Sequence, residues 1–80
     1  MNIIDIRSRD EYLLGHIGGS INIDKNSLLS NPSNYLEKDK VYHICCTSGI
    51  TSKRIVSILN EMGYNTVNID GGYNNLKSSN

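Results

Sequence analysis

What most constrains this chain is that strand-type and helix-type segments alternate from end to end within 80 residues, joined by short connections. Ile3-Ile4-Asp5-Ile6 is a β-branched run with one polar break, the pattern of a strand buried on both faces. Ser8-Arg9-Asp10-Glu11 then has the Ser-x-x-Glu form of a capping box. It predicts a short helix with Tyr12-Leu13-Leu14 as its apolar contacts and Gly15 closing it in the left-handed conformation. Ile21-Asn22-Ile23, framed by Gly18-Gly19-Ser20 and Asp24-Lys25-Asn26, is a second strand short enough to sit at an edge. From 26 to 40 the signals are mixed: Pro32 after Asn31 opens a helical turn, with Leu28, Leu29, Tyr35 and Leu36 expected toward the core. Val41 to Cys45 reads as the central strand and Thr47-Ser48-Gly49 as the turn that follows it. From Ser52 to Met62 the apolar residues Ile55, Val56, Ile58, Leu59 and Met62 recur at helical spacing, and Gly63 is placed to end that helix. Thr66 to Ile69 makes a fourth strand, Asp70-Gly71-Gly72 a turn, and Tyr73 to Lys77 a last helical turn before a frayed tail over 78–80. Strands joined by helices run parallel. The expected class is therefore α/β, a mostly parallel sheet of about four strands with helices on both faces.

Length and charge narrow the function. A chain of this size supports one hydrophobic core, hence a single domain over 1–77. Eight basic residues balance eight acidic ones, which argues against a nucleic-acid partner. No apolar stretch approaches the roughly 20 residues of a membrane span, and Met1-Asn2-Ile3-Ile4-Asp5 lacks the basic start and apolar core of a signal peptide. A cytoplasmic protein is expected. The two cysteines, Cys45 and Cys46, are adjacent, so they cannot form an ordinary disulfide without straining the peptide between them.

Reactive groups in open α/β sheets gather beyond the carboxyl ends of the strands, and Cys46 lies there, between a buried strand and a helix N-terminus. Backbone N–H groups of residues 47 to 51 and the helix dipole both favour an anion, so the thiol should titrate below its ordinary value and act as a nucleophile. The alternative is a buried cysteine that fills a gap.

Cys46-Thr47-Ser48-Gly49-Ile50-Thr51-Ser52 on a strand–loop–helix resembles the active-site loop of rhodanese-like sulfurtransferases. Ile4-Asp5-Ile6-Arg7 with Glu11-Tyr12 is similar to that family's Asp-x-Arg and Glu-Tyr segment, and residues 15 to 23 to its Gly-His-Ile-x-Gly-Ala-x-Asn-Ile stretch. Gly63-Tyr64 and Asp70-Gly71-Gly72-Tyr73 match the segments that close the domain. The resemblance implies a rhodanese fold that starts at the strand normally second, without the usual first strand and helix. It also implies a sulfurtransferase or persulfide carrier in which Cys46 is the catalytic nucleophile and Thr47, Ser48, Gly49, Ile50 and Thr51 bind the persulfide. Asp5, Arg7, Ser52 and Arg54 would support the site. No metal or cofactor is required. The partners would be thiosulfate, a low-molecular-weight persulfide or a protein persulfide as donor, and a thiol or cyanide as acceptor. The exposed sheet edge beside Thr66 to Ile69 offers a route to homo-oligomers.

The sequence departs from the family pattern where basic residues are common: Ile50 and Thr51 leave the loop without formal positive charge, and Lys53 and Arg54 come only in the following helix. Leu76 stands in place of the closing Trp. The uncharged loop keeps open a second reading, a catalytically weak sulfur-sensing or protein-binding module. Cys45 as a resolving thiol is disfavoured, because neighbouring side chains on a strand point to opposite faces. His16, His43, Cys45 and Cys46 match no zinc spacing, His43 reading as a core residue and His16 as a loop support. A thiol phosphatase would need an Arg at the position held by Ser52.

Overall fold

The apolar runs order themselves into one sheet. In the computed structural model, which describes residues 1–78, the chain runs β1 (Asn2–Asp5), α1 (Arg9–Leu14), β2 (Ile21–Asn22), α2 (Lys25–Ser30), a 3-10 turn at Pro32–Asn34, β3 (Val41–Cys45), α3 (Ile50–Glu61), β4 (Asn65–Asn68) and α4 (Gly72–Ser78). All strand pairings are parallel, in the order β2-β1-β3-β4. Ile4 lies between Ile21 and Ile44, and Ile44 in turn faces Asn68. β3 is thus interior and β2 an edge, as their lengths suggested. The expected tail meets the end of α4 at Ser78 and otherwise lies outside the described residues.

Strand alternation splits the side chains between two layers. Ile4, Tyr42 and Ile44 join Leu28, Leu36, Ile55, Leu59 and Tyr64 in one apolar cluster beneath α2 and α3. Leu28, Ile44 and Leu59 are fully buried, each contributing roughly 1.5–3 kcal/mol by leaving water. The opposite face is smaller and polar: Asp5 and Cys45 are both fully buried there, with the Arg7 guanidinium 4.0 Å below the Tyr73 ring of α4.

Several expectations change. α1 buries none of its residues, and Leu14 is 90% exposed. The helix is held instead by its capping box and by Tyr12, whose hydroxyl donates to Ser20 O at 2.5 Å and whose ring stacks on His16. Gly15 is extended and not left-handed; it is a glycine because a Cβ there would stand 2.6 Å from the Tyr73 hydroxyl. Residues 25–30 form a helix that the mixed signals concealed, capped by Asp24, whose side chain accepts from Ser27 N. Tyr35 is exposed, because the 3-10 turn leaves Leu28 and Leu36 to fill the core. His43 is half-buried between Ile3 and Val67 on the polar face, outside the core.

Candidate active site

β3 delivers Cys46 to the carboxyl edge of the sheet, and the chain must then reverse into α3 within four residues. Gly49 makes that turn at φ 87°, a left-handed conformation that costs a glycine little. Any Cβ there would also meet Gly71 N at 2.7 Å. α4 packs equally close from its side: Gly72, at φ 61°, leaves no room for a Cβ against the Cys46 and Thr47 carbonyls. Those carbonyls accept from Tyr73 N at 2.9 Å and Asn74 N at 3.0 Å. With its oxygens held by α4, the loop presents its N–H groups to the sulfur.

Cys46 Sγ accepts from Gly49 N at 3.1 Å and Ser52 N at 3.3 Å, and lies 3.1 Å from Ser52 Oγ. Burial raises the thiol, but the Ser52 hydroxyl and the N–H groups of Ser52, Gly49 and Ser48 outweigh it, so Cys46 titrates below its ordinary value. Its neighbour is the reverse case. Cys45 is pushed up to about 11, chiefly by burial and next by Asp5. A thiol whose pKa is lowered and one whose pKa is raised stand side by side.

Ser52 is itself anchored. Its hydroxyl donates to Asn68 Oδ1 at 2.5 Å, while Asn68 Nδ2 donates to Gly49 O at 3.1 Å and Asp70 Oδ1 at 2.8 Å. Asn68 therefore ties β4 to both ends of the loop. Asn68 is the last residue of β4, a strand whose other members include Asn65 and Thr66, so no local pattern singled it out.

Cys46 opens into a cleft of about 320 Å³ shared with Arg7, Glu11, Lys25, Ser48 and Thr51. The expected cradle of residues 47 to 51 is redistributed. Thr47, Ser48 and Thr51 line the cleft, Gly49 supplies an N–H, and Ile50 points to solvent at 77% exposure without lining it. Ser52 moves from a supporting position to the centre. Arg54 is exposed on α3 and lies outside the cleft lining. Asp5 and Arg7 form a buried bidentate pair, with Arg7 Nε at 3.1 Å from both carboxylate oxygens and Nη2 at 2.8 Å from Oδ2. Arg7 Nη2 also donates to Gly15 O at 2.7 Å, and Asp5 raises the guanidinium further above its ordinary value. Sequence reasoning missed Lys25, which the unrecognised α2 carries to the cleft, and Asn68. His16 Nδ1 lies 2.8 Å from Tyr12 O, the loop-supporting position expected of it.

No helix among the described residues is long and apolar enough to cross a membrane. The family model described as the rhodanese-like domain matches residues 1–79. The chain is 34% identical to a putative sulfurtransferase, YtwF, of Bacillus subtilis, over 88% of this chain and 67% of that one. It is 31% identical to the thiosulfate sulfurtransferase GlpE of Shewanella oneidensis, over 91% and 72%. Among solved structures, SSP1007 from Staphylococcus saprophyticus superposes with a TM-score of 0.86 at 36% identity, covering 92% of this chain and 73% of that one. Fold, loop position and these likenesses agree, and the chain belongs to the rhodanese-like domain family.

Proposed function

We propose that this protein is a sulfurtransferase that carries a sulfane sulfur as a persulfide on Cys46. The observation behind this reading is the thiol itself: Sγ receives two backbone N–H bonds beside the Ser52 hydroxyl, at a cleft of about 320 Å³. Such fixed donors stabilise an anion with no reorganisation during reaction.

In the first half-reaction the Cys46 thiolate attacks the outer sulfur of a donor R–S–SH. The donor S–S bond breaks, a Cys46 S–S bond forms, and R–S⁻ leaves and takes the proton from the new persulfide. The product, Cys46–S–S⁻, keeps its charge near the N–H groups that held the thiolate. In the second half-reaction an acceptor thiolate or cyanide attacks the outer sulfur and regenerates Cys46–S⁻. Electrons and protons balance with no cofactor in either step.

Intact mass measured after exposure to a low-molecular-weight persulfide tests this reading. A gain of one sulfur atom is expected in the unmodified protein and in Cys45→Ser, and none in Cys46→Ser. Labelling at Cys45, or equal labelling of both thiols, overturns it.

A further inference from the structure

The cleft beside Cys46 carries a charge pattern that the persulfide reading leaves unexplained. Its lining holds two cations and two carboxylates: Arg7, Lys25, Glu11 and Asp24. Arg7 is already neutralised by Asp5 in a buried bidentate pair. Among the described residues lining the cleft, one unpaired cation, Lys25, therefore faces two carboxylates. Both carboxylates hold helix caps through one oxygen: Glu11 Oε1 accepts from Ser8 N and Oγ, and Asp24 Oδ2 from Ser27 N and Oγ. Each retains a second oxygen for a ligand.

This arrangement repels a dianion and leaves a lone anion only half served. It matches a small molecule that carries one positive and one negative group beside its sulfur. Resting on the persulfide mechanism proposed above, we propose that the donor taken by this cleft is a zwitterionic amino-acid persulfide of the cysteine persulfide class. Its carboxylate pairs with Lys25, its ammonium lies between Glu11 and Asp24, and its outer sulfur meets Cys46 Sγ. Thr51 and Ser48, which also line the cleft, add neutral hydroxyls. The cleft volume, at the low end of the range for small-molecule sites, suits a single amino acid. Transfer follows the balanced step already written, with cysteine thiolate as the leaving group.

The test uses a donor series in which one charge is removed at a time: cysteine persulfide, N-acetylcysteine persulfide without the ammonium, and cysteamine persulfide without the carboxylate. Because the cleft is open to solvent, each lost pairing should slow sulfur gain at Cys46 about threefold. Lys25→Gln should slow cysteine persulfide by a similar factor and leave cysteamine persulfide unchanged. Lys25 is exposed and no helix cap uses its side chain, so this variant should fold. A second readout needs no transfer: S-methylcysteine should protect Cys46 from iodoacetamide, and Lys25→Gln should raise the concentration needed for that protection about threefold. Equal rates across the series, with no protection, overturn the zwitterion site even where Cys46 becomes persulfidated. Protection weakened in Lys25→Gln, with no sulfur gained from any donor, supports the site and overturns the transfer reading.

Discussion

Replacing Ser52 with Ala isolates the side chain that, among the described residues, lies within hydrogen-bond distance of Cys46 Sγ. In the thiol state a chain of neutral hydrogen bonds runs from Cys46 Sγ to Ser52 Oγ, at 3.1 Å, and on to Asn68 Oδ1, at 2.5 Å. When the thiol ionises, the Ser52 proton must swing from Asn68 to the sulfur. The gain is a charge-assisted bond of about 1.5–3 kcal/mol, set against the neutral Ser52–Asn68 bond of about 0.5–1.5 kcal/mol and the weaker S–H bond left behind. The difference is about 1 kcal/mol, so Ser52→Ala should lower the thiolate fraction near neutral pH by roughly fivefold. Gly49 N and Ser52 N remain in place and keep the thiol reactive. The assay is the iodoacetamide rate at Cys46 against pH, read by mass at each site. The midpoint should move up, and the rates of the two proteins should converge well above it. Asn68→Ala provides the opposite sign, because it frees the Ser52 proton for the sulfur, and its midpoint should move down. Unchanged rates near neutral pH in Ser52→Ala refute the reasoning, as does a deficit that persists at high pH, since that would be lost access and not lost ionisation.

Arg7→Ala strands Asp5, whose side chain is fully buried, and should cost about 3–5 kcal/mol in urea unfolding, enough to leave so small a domain barely folded; a loss below about 1 kcal/mol contradicts this. Cys45 is held neutral by the fold, titrating at about 11 against an ordinary 9.0, so its contribution is complete below about pH 9 and disappears as pH rises to about 11. Cys45→Ala should therefore lose about 2 kcal/mol less than the unmodified protein across that interval; parallel stability curves count against it. Thr51 lines a cleft without free cationic charge in its loop, so Thr51→Arg should raise turnover of thiosulfate to cyanide about tenfold, and no gain would show that the missing loop charge is irrelevant. The outer side of β4 has no strand beside it among the described residues, and Val67 is 45% exposed. Light scattering should show concentration-dependent pairing that Val67→Lys abolishes, whereas a monomer at all concentrations refutes it.

Elements written in local chemistry were legible from the residues alone. The Ser8–Glu11 box formed as read, Gly63 took its positive φ after α3, and β3 occupied the interior of the sheet. Cys46 was found because strand end, turn and helix start follow one another directly. What stayed hidden depended on partners distant in sequence. Gly15 looked like a helix stop, but its lack of a side chain answers to Tyr73, far along the chain. Leu13 and Leu14 looked like core residues because hydrophobicity says nothing about which face a helix turns inward. Lys25 and Asn68 reach the site through α2 and β4, whose register no local pattern displays. The redistribution of the cradle has the same origin: which N–H groups meet a sulfur depends on the pitch of α3, and that places residue 52 over Cys46 and leaves Ile50 outside.

The hold of α4 on the active-site loop has a consequence in time. The loop is fixed around Cys46 only when Tyr73 N and Asn74 N have taken the Cys46 and Thr47 carbonyls. In a growing chain that has emerged only as far as residue 60, the loop has the residues that donate to the sulfur and still lacks the α4 residues that hold the loop carbonyls. The same dependence makes alkylation of Cys46 a chemical report on the docking of α4, readable at a single atom.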